Sequence, residues 1–409
     1  MIQGAIYVVG VGLSRFAPIM LGALIAHKLG EDAYTQFVLF LTISNVVTNF
    51  SLMGTIPRIL SLPSDSEDRL LRLQYGGFAN LFFSLIILSL LFLFGICLPE
   101  RPDSVNAHVQ ILIFISILFY CLGYFLLSLA SAILNRSNEH RLAGYLWFYN
   151  SLIIFGLSVF LIIFDNYYLL LLLFSLMWMF LGLYSWFKIT GNCIKLCKKI
   201  FKDNFLVEMA KSTYSALFGL PFLIIFFLFG KQINASPDIV GKSAFFLGFQ
   251  LFTVVIFIPG ILGGILVPKL SQNLYKQKKV LISNLNFYYL IVGIIWLAAV
   301  CLALPLLFRI YGIVMSNKII IVVLLWQISG IIASLGAIQN QLLVSQGKYT
   351  FLLIGSLLWA IIAVSIAGFI RDQMLGKVVG ILGAYLVLQF VYYYKNNIYI
   401  LEKRVSNGA

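Results

Sequence analysis

The chain has 409 residues, 61% hydrophobic and 10% charged, with a mean hydropathy of +1.01. No soluble core absorbs that much apolar surface, so the composition excludes a soluble globular protein and calls for a polytopic membrane protein. The formal net charge of +14 needs no nucleic acid partner, because a one-sided excess of Lys and Arg and attraction to anionic headgroups account for it.

A hydrocarbon core about 30 Å thick takes roughly 20 apolar residues per helix. Runs of that size fall at 4–26, 36–57, 76–98, 109–134, 143–164, 167–187, 213–230, 242–267, 284–308, 319–342, 351–370 and 377–394. They predict an all-α polytopic membrane protein with 12 transmembrane helices, arranged as two six-helix bundles around a central cavity. The fifth and sixth runs are parted only by Asp165 and Asn166.

The first span holds Arg15 in the stretch VGLSRFAPIMLGALIA. A guanidinium keeps its charge, and holding it at bilayer depth costs at least a few kcal/mol, so such a residue faces a water-filled cavity or a partner in the bundle. No Asp or Glu lies at comparable depth in any other span. That pattern predicts a positive cavity suited to an anion. The competing reading has Arg15 bound to backbone carbonyls at a helix break beside Pro18. In the second span Thr42, Asn45 and Asn49 share a helical face, with Ser44 and Thr48 beside it. Asn45 and Asn49 are candidate cargo contacts, with interhelical hydrogen bonding as the alternative. Arg58, at the end of that span, is either a further contact or an anchor at headgroup level.

The longest polar interruption, 188–211, carries six lysines and separates an N-terminal bundle (1–187) from a C-terminal one (212–409). Its Ile194, Leu196, Ile200 and Phe201 predict a short amphipathic helix on the cytoplasmic surface. The two halves carry traces of a repeat. Pro57-Arg58 ends the second span and Pro268-Lys269 the eighth, which makes Lys269 the counterpart of Arg58. Pro18 and Pro221 lie in the first and seventh spans, and the turns RSNEHR and SQGK follow the fourth and tenth. Both halves begin on the same side, so the repeat is parallel. Lys and Arg divide as 19 on the side of the termini and 8 on the other, with Arg15 between, which predicts cytoplasmic termini. No cleavage-site pattern follows the first span, so it reads as a retained helix.

The five cysteines include a lone C-x3-C at Cys193 and Cys197 without further ligands nearby, which predicts reduced thiols and no metal centre. No P-loop or nucleophile–base arrangement is visible, so neither a catalytic residue nor a cofactor is expected.

Three segments carry a family resemblance: LSRFAPIMLGALIAHKLGEDAYTQF (13–37), LPLLFRIYG (304–312) and LVSQGKY (343–349). With the six-plus-six layout, the chain resembles the O-antigen polysaccharide flippases of the multidrug/oligosaccharidyl-lipid/polysaccharide exporter superfamily. The resemblance implies a bacterial inner-membrane protein that moves an undecaprenyl-pyrophosphate-linked oligosaccharide from the cytoplasmic to the periplasmic leaflet. Membrane lipids, a polysaccharide polymerase and a chain-length regulator would be its partners. Arg15 matches the family's first-helix arginine, for which the resemblance implies pyrophosphate binding. Lipid II flippases resemble the same helix but usually carry two further C-terminal spans. A multidrug exporter of the superfamily is the nearest rival, although cation export generally calls for an intramembrane carboxylate. An O-antigen polymerase is the rival from another class, and the short outward loops count against it.

Overall fold

The computed structural model describes residues 2–53, 55–62, 67–93, 107–162, 166–190, 221, 224–234, 236, 238–272, 275–346 and 348–407. Within these residues the protein is helical from end to end. In chain order the helices are α1 (Ile2–Leu29), α2 (Glu31–Met53), α3 (Ile56–Leu60), α4 (Glu67–Leu93), α5 (Ala107–Arg136), α6 (His140–Ile162) and α7 (Tyr167–Thr190). A π-helical turn, Ile224–Gly230, and α8 (Lys231–Asn234) follow. The remainder is α9 (Ile239–Gln272), α10 (Tyr275–Ile310), α11 (Asn317–Ser345), α12 (Tyr349–Phe369) and α13 (Gln373–Asn407). Among the described residues nine helices are long and apolar enough to cross a membrane, and the chain is an all-α, multi-pass membrane protein. Most of the predicted seventh span and the amphipathic helix expected in 188–211 lie outside the described residues. The fifth and sixth runs are separate helices, α6 and α7, as the sequence divides them.

By packing, the chain falls into two compact units. Unit 1 is Met1–Ser243 with Phe308–Val314; unit 2 is Ala244–Leu307 with Met315–Ala409. In unit 1, α1 packs along α6 and α5 along α7, while α2 touches α1, α4 and α5. Glycine makes the two long crossings close. A side chain at Gly144 of α6 would run into the backbone of Ile6 and Tyr7 on α1, and one at Gly182 of α7 into the backbone of Gly123 on α5. Without a hydrophobic drive between helices in lipid, such backbone approach is a main source of attraction. Inside lies an aromatic cluster of Phe40, Tyr120, Tyr124, Trp147, Phe174 and Trp178, with neighbouring rings 5.5–6.5 Å apart.

Two turns in unit 1 follow from single residues. Gly30 alone joins α1 to α2 at φ +91, a conformation that costs glycine little. The second span does not run unbroken to residue 57 as its apolar pattern predicts. α2 stops at Met53 and α3 begins at Ile56, with Pro57 in its first turn. Pro57 has no N–H, and its ring would clash with the carbonyl four residues back, whereas the first turn of a new helix accepts it. Its proposed counterpart Pro268 lies inside the continuous α9, so the two prolines are not structurally equivalent.

Unit 2 is organised around α11, α12 and α13. Trp326 of α11 is fully buried, with Phe245, Phe249 and Phe252 of α9 5.1–5.5 Å away. Pro259 interrupts the ladder of α9 by leaving the Val255 carbonyl without its helical donor. The Ser334 hydroxyl reaches that carbonyl at 3.2 Å, shared with Gly330 O of its own helix at 2.8 Å. Gln341 donates to Pro259 O at 2.6 Å through space that Gly263 leaves open. Gln327 donates to Gly248 O and accepts from Trp296 Nε1, joining α9, α10 and α11.

Candidate functional site

The polar residues of α2 separate onto two faces. Ser44, Thr48 and Ser51 are fully buried, as is Thr55 just beyond the end of α2. The hydroxyls of Thr48, Ser51 and Thr55 bond to carbonyls one turn back. Across to other helices, Ser51 Oγ lies 3.5 Å from Ser84 Oγ, and Cys121 Sγ lies 3.5 Å from Ser44 O. This face is interhelical packing. Thr42, expected beside the asparagines, is also buried. Asn45 and Asn49, one turn apart, are only half-buried. Both therefore keep access to their surroundings, as does Gln36 near the start of α2.

Arg58 lies in α3, half-buried, with its backbone carbonyl accepting from Ser61 Oγ at 3.0 Å. Arg15 occupies the middle of α1, and Lys269 lies near the end of α9; both side chains lie outside the described residues. Arg15, Asn45, Asn49 and Arg58 thus belong to unit 1, and Lys269 to unit 2. The acidic residues of the described helices stand at helix ends. Glu31, Asp32, Glu67 and Asp68 are in first turns, Glu139, Asp238 and Asp372 immediately precede helices, and Glu402 is near the close of α13.

Pro18 shapes the neighbourhood of Arg15. It frees the Ser14 carbonyl from its helical donor, while the Ser14 hydroxyl bonds to Val11 O at 2.7 Å. A cavity of about 10 Å³ opens here, lined by Ser14, Ala17, Pro18 and Leu21 of α1, Ser151, Ile154 and Phe155 of α6, and Phe174 and Trp178 of α7. That volume suits about one water molecule. Ser151 Oγ and Trp178 Nε1 are buried without a hydrogen-bond partner among the described residues. One turn of α6 thus presents Ser151 to this cavity and Asn150 to Ser185 of α7, at 3.3 Å. Neither Ser151 nor Trp178 stands out in the sequence, where a serine and a tryptophan in an apolar run read as packing.

At the start of α13, Asp372 accepts from the N–H groups of Met374 and Leu375 and pairs with Lys318 at 2.6 Å. Partial burial pushes its carboxyl up, but the Lys318 hydrogen bond and charge and the two backbone donors outweigh it, leaving Asp372 below the usual carboxylate range.

Neither family models nor curated protein sequences match the chain. Solved structures do. The eukaryotic MATE transporter AtDTX14 superposes with a TM-score of 0.67 at 15% identity, covering 97% of this chain and 94% of that one. The fold is that of the MATE transporters. The MATE multidrug transporter DinF-BH, solved with a ligand bound, gives 0.62 at 13% identity over 97% of this chain and 95% of that one. An outward-facing multidrug resistance MATE family transporter of the MOP superfamily gives 0.61 at 12% identity over 98% and 94%. At these identities the likeness is one of fold.

Proposed function

We propose that the chain is an alternating-access transporter whose cargo is an undecaprenyl-pyrophosphate-linked oligosaccharide. It carries this cargo from the cytoplasmic to the periplasmic leaflet of a bacterial inner membrane, with both termini in the cytoplasm. The observation that carries the cargo assignment is the charge pattern: a permanent cation, Arg15, in the middle of α1 and no carboxylate at that depth. Arginine suits a pyrophosphate because its planar fork makes two parallel charge-assisted hydrogen bonds, strengthened where water is excluded. Asn45 and Asn49 offer amides for sugar hydroxyls. Arg58 and Lys269 hold the headgroup at the cytoplasmic side. Two six-helix bundles, 1–187 and 212–409, joined by the basic 188–211, supply the moving parts. The cavity of about 10 Å³ beside Ser14 is far too small for such a cargo, so loading requires a more open arrangement.

A second reading, export of drugs, draws more support from the comparisons, since DinF-BH is itself a multidrug transporter. The carboxylate-free spans favour the first reading, because cationic drugs want an opposite charge inside the membrane.

The deciding experiment is surface polysaccharide display in a bacterium deleted for this gene and complemented with wild type, Arg15→Ala or Arg15→Lys. Loss of display with lipid-linked single repeat units left on the cytoplasmic leaflet, no rescue by Arg15→Ala at normal protein level and partial rescue by Arg15→Lys are expected. Unchanged display together with retention of a lipophilic cationic dye in the deletion strain would replace this reading with drug export.

A further inference from the structure

Within unit 1 the consecutive helices α6 and α7 pack antiparallel and turn one side outward. Asn150 and Ser185, joined at 3.3 Å, set the two helices level with each other. Gly144 lies against α1 and Gly182 against α5, so these positions mark the inner side of the pair. At about 100° per residue, Tyr149 stands about 140° round α6 from Gly144, and Tyr184 about 160° round α7 from Gly182. Each tyrosine precedes a partner of the Asn150–Ser185 bond by one residue. In antiparallel helices that step turns both to the same side, and they are 58% and 62% exposed. Towards the α5–α6 turn this side carries two cations, each leaning on a tyrosine. Arg141 Cζ lies 5.4 Å from the centre of the Tyr145 ring, its Nε donates to the Tyr145 hydroxyl at 3.2 Å, and that ring is 6.0 Å from Tyr149. Lys188 Nζ lies 5.8 Å from the centre of the Tyr184 ring. Counted from the Asn150–Ser185 level at 1.5 Å per residue, Arg141 sits roughly 9 Å farther out along the axis than Lys188. Both cations are exposed, and among the described residues neither makes an ion pair, Glu139 beside Arg141 included.

We propose that this outer face of α6–α7 binds one anionic glycerophospholipid. Arg141 takes the phosphodiester, Lys188 the ester carbonyls beneath it, and Tyr149, Tyr184 and the exposed Phe180 flank the acyl chains. The arrangement in depth carries the assignment. A free phosphate needs cations at one level, whereas a phospholipid presents phosphate, esters and hydrocarbon in that order, and this face offers a guanidinium, an ammonium and bare rings in the same order. Lysine's flexible stem spans the remaining distance to the esters. With Nε occupied by Tyr145, the guanidinium keeps its terminal N–H groups for phosphate oxygens. Two cations without a carboxylate favour a lipid of net negative charge over a zwitterionic one, and the tyrosine rings hold both side chains in place before the lipid arrives. The proposal concerns unit 1 alone and needs no particular cargo.

The test measures the affinity for the first dioctanoyl phosphatidylglycerol bound to the purified protein in neutral detergent, by native mass spectrometry. Dioctanoyl phosphatidylcholine and inorganic phosphate are the other probes. A near-surface cation is worth a factor of about five towards an anionic headgroup, so Arg141→Gln/Lys188→Gln should weaken phosphatidylglycerol binding about tenfold to thirtyfold. Arg309→Gln/Arg371→Gln removes the same charge from two exposed positions elsewhere, and should stay within about twofold of wild type. Phosphatidylcholine should bind wild type at least about fivefold more weakly, and inorganic phosphate at equal concentration should leave the lipid in place. The site is overturned if the two double variants bind phosphatidylglycerol alike, if phosphatidylcholine binds as well, or if inorganic phosphate displaces the lipid. Should Arg141→Gln/Lys188→Gln fail to fold, Arg141→Gln alone decides, with an expected loss of about fivefold.

Discussion

Replacing Gly144 by alanine tests the helix crossing that supports α1 and its arginine. The new methyl carbon would stand 2.7 Å from Ile6 C, Tyr7 Cα and Tyr7 N, all of them backbone atoms. Ordinary carbon contacts are about 3.5–4.0 Å, so α1 and α6 must part by roughly 1 Å. No rotamer change relieves a clash with backbone. Overpacking of this kind costs about 1–3 kcal/mol, and in a unit of this size each kcal/mol lowers the melting temperature by about 2–4 °C. Gly156 lies on the same helix with nothing within 4 Å of an added Cβ. Gly156→Ala therefore shares the helix-propensity gain, up to about 1 kcal/mol, without the clash. Thermal unfolding of wild type, Gly144→Ala and Gly156→Ala in one detergent should place Gly144→Ala lowest, at least about 4 °C below Gly156→Ala if the cost is near 2 kcal/mol. Equal melting of the two alanine variants would refute the close crossing.

Three further outcomes are expected. Ser334→Ala should cost about 0.5–1 kcal/mol by denaturant unfolding, and less in a Pro259→Ala background, where an N–H returns to the Val255 carbonyl. Additive effects in that double-mutant cycle would contradict the assignment. The carboxyl of Asp372 is held low in the folded protein, so its share of stability is complete above the unfolded carboxylate pKa of about 3.9 and is lost as pH falls through the lower folded value. The melting temperatures of wild type and Asp372→Asn should therefore draw together as pH falls below about 3.9, with wild type higher at about pH 6; a constant gap would show that the charge is irrelevant. Asn49→Ala should leave the melting temperature within about 1 °C, as befits a half-buried side chain, while lowering polysaccharide display; normal display would remove Asn49 from the cargo path.

Helix α1 shows how far sequence reasoning reaches. Its apolar run, its proline and its central arginine are all visible in the letters, because a bilayer imposes one length and one polarity on every span. The run at 36–57 shows the opposite. Hydropathy cannot register the break between Met53 and Ile56, since both sides are apolar and only the proline's stereochemistry separates them. On α2 the pattern collects Thr42, Ser44, Asn45, Thr48 and Asn49 around one side, yet only packing against neighbouring helices buries Thr42, Ser44 and Thr48 and leaves Asn45 and Asn49 half-buried.

The sequence by itself determined that the chain crosses a membrane many times, where most of its helices lie, and that a permanent cation sits at mid-depth without a matching carboxylate. These are local properties, set by transfer free energies and by side-chain chemistry that no neighbour alters. Only the tertiary structure decided that Gly10 and Gly144 meet across two helices, that Ser334 repairs the gap left by Pro259, and that Tyr311 closes on Ile19 from 292 residues away in the chain. Each depends on which helix faces which, and helices uniformly apolar toward lipid carry little record of their partners in their hydrophobic pattern.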